Sequence, residues 1–284
     1  MIFYMTIRRL FFRIAVRSLE YMCLLHGPKR CPQSNLSFEC LPDDNKHTDI
    51  ITIAFNNAQI IPLHVEYVEK YYRDEHTHII ADNSSDPKCA EMIRKYCNEN
   101  NVCYIRLPKN HLKVFSGSYS HATALNWVYK HIVRKRKPTY FGYIDHDLFP
   151  IKPINLRELL DKQHIYGPQR KRGNYWYLSA ILSFFDFHYI KDKKVDFMPV
   201  NYDDEHYLDT GGGNWLDIYS SMDDAKIHFC SERLENFREG ENRHQDKLEF
   251  FDDKWLHSIN GSNWKQIAID KESLLPDLIR QYEQ

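Results

Sequence analysis

The sequence has no run of 18 apolar residues and no surplus of charge of either sign. A membrane-spanning helix needs at least about 18 such residues in a row, so none is expected. The 38 basic and 39 acidic residues give a formal net charge of −1. This balance argues against a dedicated nucleic-acid binder, which carries a net basic field. An apolar content of 43% likewise excludes a disordered chain.

Cysteine-pairing motifs are missing too. The chain has seven cysteines, an odd number, and none of them forms a Cys-x-x-Cys pair. That pattern fits neither a zinc ribbon nor a disulfide framework. We therefore expect reduced thiols and a cytoplasmic location.

The N-terminal segment mixes apolar residues with regularly spaced arginines. Arg8, Arg9, Arg13 and Arg17 interrupt the apolar residues, so no cleaved signal peptide is expected. The four-residue spacing of the last three predicts a basic amphipathic helix with a cationic stripe. Such a helix could lie peripherally on an anionic membrane through residues 1–25. Alternatively, it packs on the rest of the chain with its arginines in solvent.

From residue 49 onward, apolar runs alternate with helical patterns. The runs predict strands at 49–55, 77–82, 101–107 and 139–147, with helices at 62–73, 87–100 and 117–136. This alternation predicts an α/β fold with a mostly parallel sheet flanked by helices. After residue 150 the pattern becomes mixed, which predicts a smaller mixed region.

Polar residues follow three of the predicted strands, at Asn56–Asn57, Asp82–Asp86 and Asp145–Asp147. In parallel sheets, ligands bind in the crevice beyond these strand ends. Asp145 and Asp147 are two residues apart, so their side chains share one side of an extended chain. Paired carboxylates repel each other unless a cation lies between them, and their oxygens suit Mg²⁺ or Mn²⁺. The alternative is an exposed turn, where Asp is common.

Four segments in this order resemble GT-A-fold glycosyltransferases of the family-2 type. They are 53–57 (IAFNN), 79–86 (IIADNSSD), 116–126 (SGSYSHATALN) and the Asp-x-Asp at 145–147. The resemblance implies a GT-A-type Rossmann-like sheet and a smaller acceptor-side region. Residues 1–26 are expected to form the basic helix, and 27–48, with three prolines and no helical period, a linker. The resemblance then implies a nucleotide-sugar-binding half at 49–150, and an acceptor-binding half with the C-terminal segment of the same domain at 151–284.

The resemblance also implies a set of site residues. Donor-binding residues would be Ala54, Phe55, Asn57, Asp82, Ser118, His121 and Asp145, and metal ligands Asp145, Asp147 and His257. Asp82 would accept the imide N–H of uracil, a charge-assisted bond; an Asx turn is the alternative. Ser118 and His121 would lie at a helix start, where free N–H groups favour anions, or near a plain N-cap.

Two further assignments are less direct. His257 is followed by Gly261 and Trp264, as is the late metal-binding His of several GT-A enzymes, although 15 histidines make chance matches easy. The run Asp209–Trp215 contains three glycines, which can let backbone approach a ligand. In the resembled enzymes this region presents a catalytic carboxylate, which makes Asp209 the first candidate for the base. Its rivals are Asp203, Asp204 and Glu205, and a capped glycine turn is the alternative.

Two basic runs remain. The first, Lys130 with residues 134–137, closes the helix before the fourth strand and is expected to complement the helix dipole. The second, 169–176, mixes basic and aromatic residues that could contact an acceptor sugar or an anionic acceptor.

We expect a glycosyltransferase that moves a sugar from a nucleoside diphosphate sugar, with UDP first, to a glycan or lipid-linked hydroxyl. Mn²⁺ or Mg²⁺ would be its cofactor. The alternatives are a sugar-nucleotide nucleotidyltransferase and an inactive GT-A-like binding module. The first of these normally has a glycine-rich basic loop after strand one, which 55–58 does not offer.

Overall fold

The computed structural model describes residues 2–28, 34–41, 47–236, 247–259 and 269–283, with the backbone alone for 2–9 and 269–273. No helix in these ranges is long and apolar enough to cross a membrane. The six cysteines within them are all free thiols. Gly261 and Trp264, which supported the assignment of His257, lie outside the described residues.

The described chain alternates strands and helices and then becomes mostly β. The helices are α1 Ile2–Leu25, α2 Ile60–Tyr71, α3 Pro87–Glu99, α4 Gly117–Val128, α5 Arg134–Arg136, α6 Arg157–Gln163, α7 Phe187–Ile190 and α8 Ile269–Tyr282. The strands are β1 Thr48–Ala54, β2 His76–Asp82, β3 Cys103–Arg106, β4 Tyr140–Asp145, β5 Leu148–Pro150, β6 Ile165–Tyr166, β7 Gln169–Arg172, β8 Tyr175–Leu178, β9 Leu182–Asp186, β10 Val200–Asn201, β11 Tyr207–Leu208, β12 Glu232–Asn236, β13 Lys247–Phe251 and β14 Trp255–His257.

A six-stranded sheet in the order β3-β2-β1-β4-β9-β6 forms the centre of the fold. Its first four strands are parallel, and β9 is antiparallel to both of its neighbours. The predicted α/β fold with a mostly parallel sheet is confirmed. Each predicted element between residues 49 and 147 is present with ends within about two residues, the usual uncertainty of helix boundaries. The predicted helix 117–136 is a continuous helical segment made of α4, a π-helical stretch at Tyr129–Val133 and α5.

A second sheet, in the order β12-β13-β14-β5, joins the end of the chain to the first half. In this sheet β14 is antiparallel to β5, with His257 opposite Leu148. The backbone N–H of Ser258 also donates to the carbonyl oxygen of Asp147 at 2.9 Å. This register brings a late histidine beside the loop that follows β4, an arrangement that sequence spacing alone does not fix.

Helix α1 packs on the body through Val16, Glu20 and Cys23, which are buried. The guanidinium of Arg17 is held by Asp196 at 2.6 Å and by Glu20 at 2.7 Å. Arg17 therefore adds no free charge to the predicted cationic stripe. The helix is present, but its arginine face is partly an internal contact surface.

Arg136, in the basic run at the end of the helical segment 117–136, has a specific partner in addition to the helix end. This side chain is buried, and it donates to both carboxylate oxygens of Asp49 at 2.8 and 2.9 Å. Two parallel hydrogen bonds between a guanidinium and a carboxylate compensate both charges when they are buried. Arg136 thus connects the end of the helical segment to β1.

Two buried histidines share one hydroxyl beneath the central sheet. Thr52 Oγ1 lies 2.8 Å from Nε2 of His64 and 2.9 Å from Nε2 of His78. A hydroxyl has one proton to donate, so one ring accepts it and the other donates its own N–H. Burial lowers the pKa of His64 to about 3. The nearby His146 contributes to this shift, and the charge of Asp147 opposes it. Burial with repulsion from His64 and His76 also lowers the pKa of His78.

Because His64 and His78 are buried in the neutral form, we expect the free energy of unfolding to fall in acid. They stay neutral when folded but gain protons when unfolded below about pH 6.5. The unfolded state then binds more protons, so stability falls as pH drops, by about 1.4 kcal/mol per pH unit for each histidine. Urea unfolding at pH 7.5, 6.5 and 5.5 measures this. The variant His78→Gln keeps a partner for Thr52 without titrating, and we expect it to show a clearly shallower slope; an equal slope contradicts the prediction.

Candidate active site

A cavity of about 1180 Å³ opens at the carboxyl ends of β1, β2 and β4. Asn56, Asn83 and Asp145 come from these three strand ends and line it. The opposite wall comes from the β7–β8 hairpin and from residues 207–210. The cavity is thus located where the parallel-sheet rule places ligands.

The turn after β1 holds the loop after β2. Asn56 has a positive φ of 50°, and its side-chain oxygen accepts the N–H groups of Ser85 and Asp86 at 2.8 and 2.9 Å. Its own N–H donates to the hydroxyl of Ser84 at 2.9 Å. Because asparagine tolerates this backbone region better than most residues, the sequence suits the turn. These contacts fix one wall of the cavity.

Asp145, Asp147 and His257 form the centre of the cavity floor. One ligand atom from each residue lies within 4.8 Å of the others. Nε2 of His257 is 3.5 Å from Oδ1 of Asp147. His146, between the two aspartates, turns back towards the carbonyl oxygen of Ile53 at 3.2 Å. Two carboxylates and one imidazole are a donor set that suits Mn²⁺ or a similar divalent ion, so the residues fit the predicted metal.

Glu249 of β13 orients His257. Its Oε2 lies 2.9 Å from Nδ1 of His257, which leaves Nε2 to face Asp147. Burial alone would lower the pKa of His257, but the carboxylates of Asp147 and Glu249 outweigh it and raise that pKa to about 10. Glu249 is itself 3.3 Å from the guanidinium of Arg170. A histidine that is held by a carboxylate is the usual arrangement behind a metal ligand.

This contact yields a testable prediction for metal affinity. Glu249→Ala leaves Nδ1 of His257 without its acceptor, and we expect Mn²⁺ to bind about 10- to 100-fold more weakly. Titration calorimetry with Mn²⁺ measures the change, with Glu99→Ala on the exposed face of α3 as the control. An unchanged affinity in Glu249→Ala would show that the histidine is not positioned in this way.

The start of α4 borders the same cavity. Ser116 caps the helix by accepting the N–H of Tyr119 at 3.3 Å, so the predicted N-cap is this serine rather than Ser118. Ser118 and His121 both line the cavity, and Nε2 of His121 is 3.4 Å from Oδ1 of Asp145. Partial burial raises the pKa of the Asp145 carboxyl, His121 opposes that shift, and Asp147 adds to it. A cation in this position would relieve the repulsion.

Asp209 lines the cavity, whereas Asp203, Asp204 and Glu205 do not. Its Oδ1 accepts the N–H of Thr210 at 2.8 Å and lies 3.4 Å from the hydroxyl of Tyr207. Its Oδ2 has no hydrogen-bond partner within the described parts of the chain. One oxygen thus positions the carboxylate while the other is available to a ligand.

The glycines after Asp209 serve packing rather than ligand approach. A Cβ on Gly212 would lie 2.3 Å from Cβ of Leu208, and one on Gly213 would lie 2.6 Å from the carbonyl oxygen of Asp196. Gly211 has a φ of 98°, in the region that favours glycine. None of the three lines the cavity. Their small size lets residues 208–213 fold tightly and present Asp209.

Two predicted donor-binding residues lie behind the cavity wall. Ala54 is fully buried and does not line the cavity. Asp82 is also fully buried: it accepts the hydroxyl of Tyr104 at 2.9 Å and the N–H of Ser84 at 2.8 Å, and it lies 3.1 Å from the guanidinium of Arg106. The Ser84 contact is the Asx-type turn that was the alternative. The contact of Asp82 with uracil stays a prediction, although Tyr104 and Ser84 already donate to its two carboxylate oxygens.

Other cavity residues were not anticipated from the sequence. These are mainly Cys89, Lys113, Tyr177 and Glu249. The ammonium of Lys113 lies 4.4 Å from the ring centre of Phe55, a cation–π contact. Asn83 and Asp86, by contrast, belong to the polar segment after the second predicted strand that the sheet rule assigned to this crevice, and both line the cavity. Lys113 and Glu249 come from distant elements and carry no local signal.

Comparisons with known proteins agree with this architecture. Residues 49–168 match the family model for glycosyl transferase family 2. No curated protein matches the chain. The matched segment 49–168 contains β1 to β6 and the Asp145–Asp147 loop, and it ends before Asp209 and His257.

The solved structures that match have low similarity. The mannosyltransferase PcManGT from Pyrobaculum calidifontis, in complex with GDP-Man and Mn²⁺, is 12% identical with a TM-score of 0.37, covering 63% of this chain and 56% of its own. The mannosyltransferase Ktr4p from S. cerevisiae is 9% identical with a TM-score of 0.36, covering 63% of this chain and 66% of its own. The galactosyltransferase LgtC, with donor and acceptor sugar analogues, is 15% identical with a TM-score of 0.34, covering 49% and 57%.

The chain therefore spans less than two thirds of each of these three proteins. The family match covers the part of the chain that builds the parallel strands and includes Asp145 and Asp147, but not His257. Residues 49–168 accordingly match glycosyl transferase family 2, the family that the sequence resembles.

Proposed function

We propose that the chain is a divalent-metal-dependent glycosyltransferase that uses a nucleoside diphosphate sugar, with UDP as the first candidate nucleotide. The single observation that supports this most is the group of Asp145, Asp147 and His257 on the floor of the cavity. Outside a metal site, two carboxylates so close together would repel each other. The group also lies at the sheet edge where the nucleotide of an α/β protein binds.

The donor would lie across the strand ends. Phe55 and Asn57 follow β1, and Asn83 and Asp86 follow β2; all four line the cavity. They offer an aromatic face with amide and carboxylate groups, which suits a nucleoside. The start of α4, with Ser118 and His121, supplies partial positive charge near the expected diphosphate.

The metal would be held by Asp145, Asp147 and His257. When bound, it would neutralise negative charge on the leaving diphosphate. The protein residues do the remaining work: Glu249 orients His257, and Glu249 is in turn held by Arg170. This preorganisation matters because electrostatic stabilisation of developing charge is usually the largest catalytic contribution.

The acceptor would enter beside Asp209. Oδ2 of Asp209 would accept the proton of the acceptor hydroxyl as its oxygen forms a bond to the anomeric carbon of the sugar. The bond between that carbon and the diphosphate oxygen breaks, and the nucleoside diphosphate leaves with the bonding electron pair. The hydrogen bond from Thr210 and the contact with Tyr207 keep the carboxylate in place during this step.

Titration calorimetry tests the donor assignment. We expect UDP to bind in the presence of Mn²⁺ and to bind at least about tenfold more weakly without it, because bridging metals supply much of the attraction for a diphosphate. GDP is the comparison nucleotide. Equal binding of UDP with and without Mn²⁺ would contradict the role of the metal. Tighter binding of GDP than of UDP would change the nucleotide assignment but leave the metal role intact.

A further inference from the structure

A second cavity of about 630 Å³ lies between α1 and the segment 198–201. Its walls are mainly apolar: Phe12 and Val16 of α1 face Met198, Pro199 and Val200. Its volume is within the usual range for pockets that hold small organic ligands, about 300–1,000 Å³. Nothing in the proposed transfer step uses this space.

The second cavity adjoins the first at the proposed base. Tyr207 lines both cavities, and its hydroxyl is 3.4 Å from Oδ1 of Asp209. On the other side, Tyr119 lines the second cavity while its neighbours Ser118 and Ser120 line the first. The two cavities are therefore adjacent at Tyr207, beside Asp209.

One cation beside this cavity has no carboxylate partner among the described residues. Arg17 is neutralised by Asp196 and Glu20, at 2.6 and 2.7 Å. Arg13 also lines the cavity, but it donates only to the carbonyl oxygen of Asn201, at 3.4 Å. Among the described residues, no carboxylate pairs with Arg13. The wall is thus apolar with one cation that is not neutralised.

The outer face of α1 provides an independent observation. Six large apolar side chains on this face are each more than half exposed: Leu10, Phe11, Ile14, Tyr21, Met22 and Leu25. They recur at helical spacing opposite the buried Val16, Glu20 and Cys23. A helix with such a face lies favourably in the interfacial region of a bilayer. The same helix that forms the pocket wall would therefore bring the pocket to the source of a lipid.

We propose that this pocket holds the hydrocarbon chain of an anionic amphiphilic acceptor. Its polar end would reach Asp209, its anionic group would lie near Arg13, and its chain would contact Val16 and Val200. The inference rests on the proposed function, since it names the acceptor class for that same site.

Alkyl phosphates test this inference by titration calorimetry below their micellar concentrations. Butyl, octyl and dodecyl phosphate differ only in chain length, and each buried methylene should tighten binding about fourfold until the pocket is full. Val200→Trp fills the pocket, and we expect it to weaken dodecyl phosphate binding at least about tenfold by loss of that apolar burial. Leu216→Trp is the control, since Leu216 is exposed and lines neither cavity.

Arg13→Gln should weaken all three phosphates by a similar factor and leave the dependence on chain length intact. UDP with Mn²⁺ is titrated in parallel, and we expect Val200→Trp to bind it as the wild type does. If UDP fails to bind the wild type but dodecyl phosphate shows the expected behaviour, the proposed function fails while the amphiphile site remains.

Equal binding of butyl and dodecyl phosphate, or no binding of either, overturns the inference. The chain-length series uses the wild type, so this result does not depend on how any variant folds. A dimer in light scattering that Val200→Trp dissociates would also overturn it, because a second copy would then fill the pocket.

Discussion

Replacing Asp147 by Asn is expected to abolish metal-dependent sugar transfer while leaving the fold intact. The side chain is buried, and Asn has nearly the same shape, so packing is retained. The amide removes one of the two proposed anionic ligands and also the charge that faces His257 at 3.5 Å. We expect kcat to fall at least about 100-fold, the usual effect of losing one preorganised electrostatic group in a transition state. Release of UDP from UDP-sugars with Mn²⁺ measures it.

The matched control for this variant is Asp277→Asn. Asp277 is an exposed aspartate of α8 that pairs with Arg280, so the same chemical change there should leave turnover at the wild-type level. Circular dichroism must show cooperative unfolding for both variants. Turnover by Asp147→Asn within about threefold of the wild type, less than about 1 kcal/mol of transition-state stabilisation, would rule out the metal role of Asp147.

The second large effect is expected for Asp209→Asn. An amide cannot take the proton of the acceptor hydroxyl, so transfer should fall by about 100- to 10,000-fold, the usual contribution of general acid–base catalysis. Mn²⁺-dependent binding of UDP should remain, because Asp209 belongs to none of the proposed donor contacts. Separate assays of nucleotide binding and of transfer to the acceptor distinguish these two effects.

Asp203→Asn provides the matched comparison. Asp203 is six residues away, pairs with His206 at 2.8 Å and does not line the main cavity. We expect it to transfer sugar normally. If Asp203→Asn loses transfer and Asp209→Asn retains it, the base has been assigned to the wrong carboxylate.

The sequence predicts the first half of the fold well because each element there carries its own signal. The run DIITIAF (49–55) is rich in β-branched residues, and the structure buries its first six residues completely in β1. Pro87 opens α3, and Asp86 before it caps the helix by accepting the N–H of Lys88. The polar residues after these strands could be assigned to one crevice because the carboxyl ends of parallel strands lie at the same edge of the sheet.

The parts that sequence could not predict depend on contacts between distant residues. Glu249 reaches His257 only through the pairing of β13 with β14. Arg136 pairs with Asp49, which lies 87 residues earlier in the chain. Nothing in a basic run at a helix end predicts this contact. Asp82 has the expected position at a strand end, yet Tyr104 and Arg106 of β3 enclose its carboxylate. Local patterns place residues on elements but do not show which neighbours cover them.

The most direct test of the central claim is a crystal structure grown with Mn²⁺ and UDP. Anomalous scattering at the manganese edge locates the ion without reference to the protein. We expect one peak within ligand distance of Asp145, Asp147 and His257, in contact with the diphosphate of UDP. A diphosphate bound elsewhere, or in this cavity with no manganese peak beside those three side chains, would contradict the account.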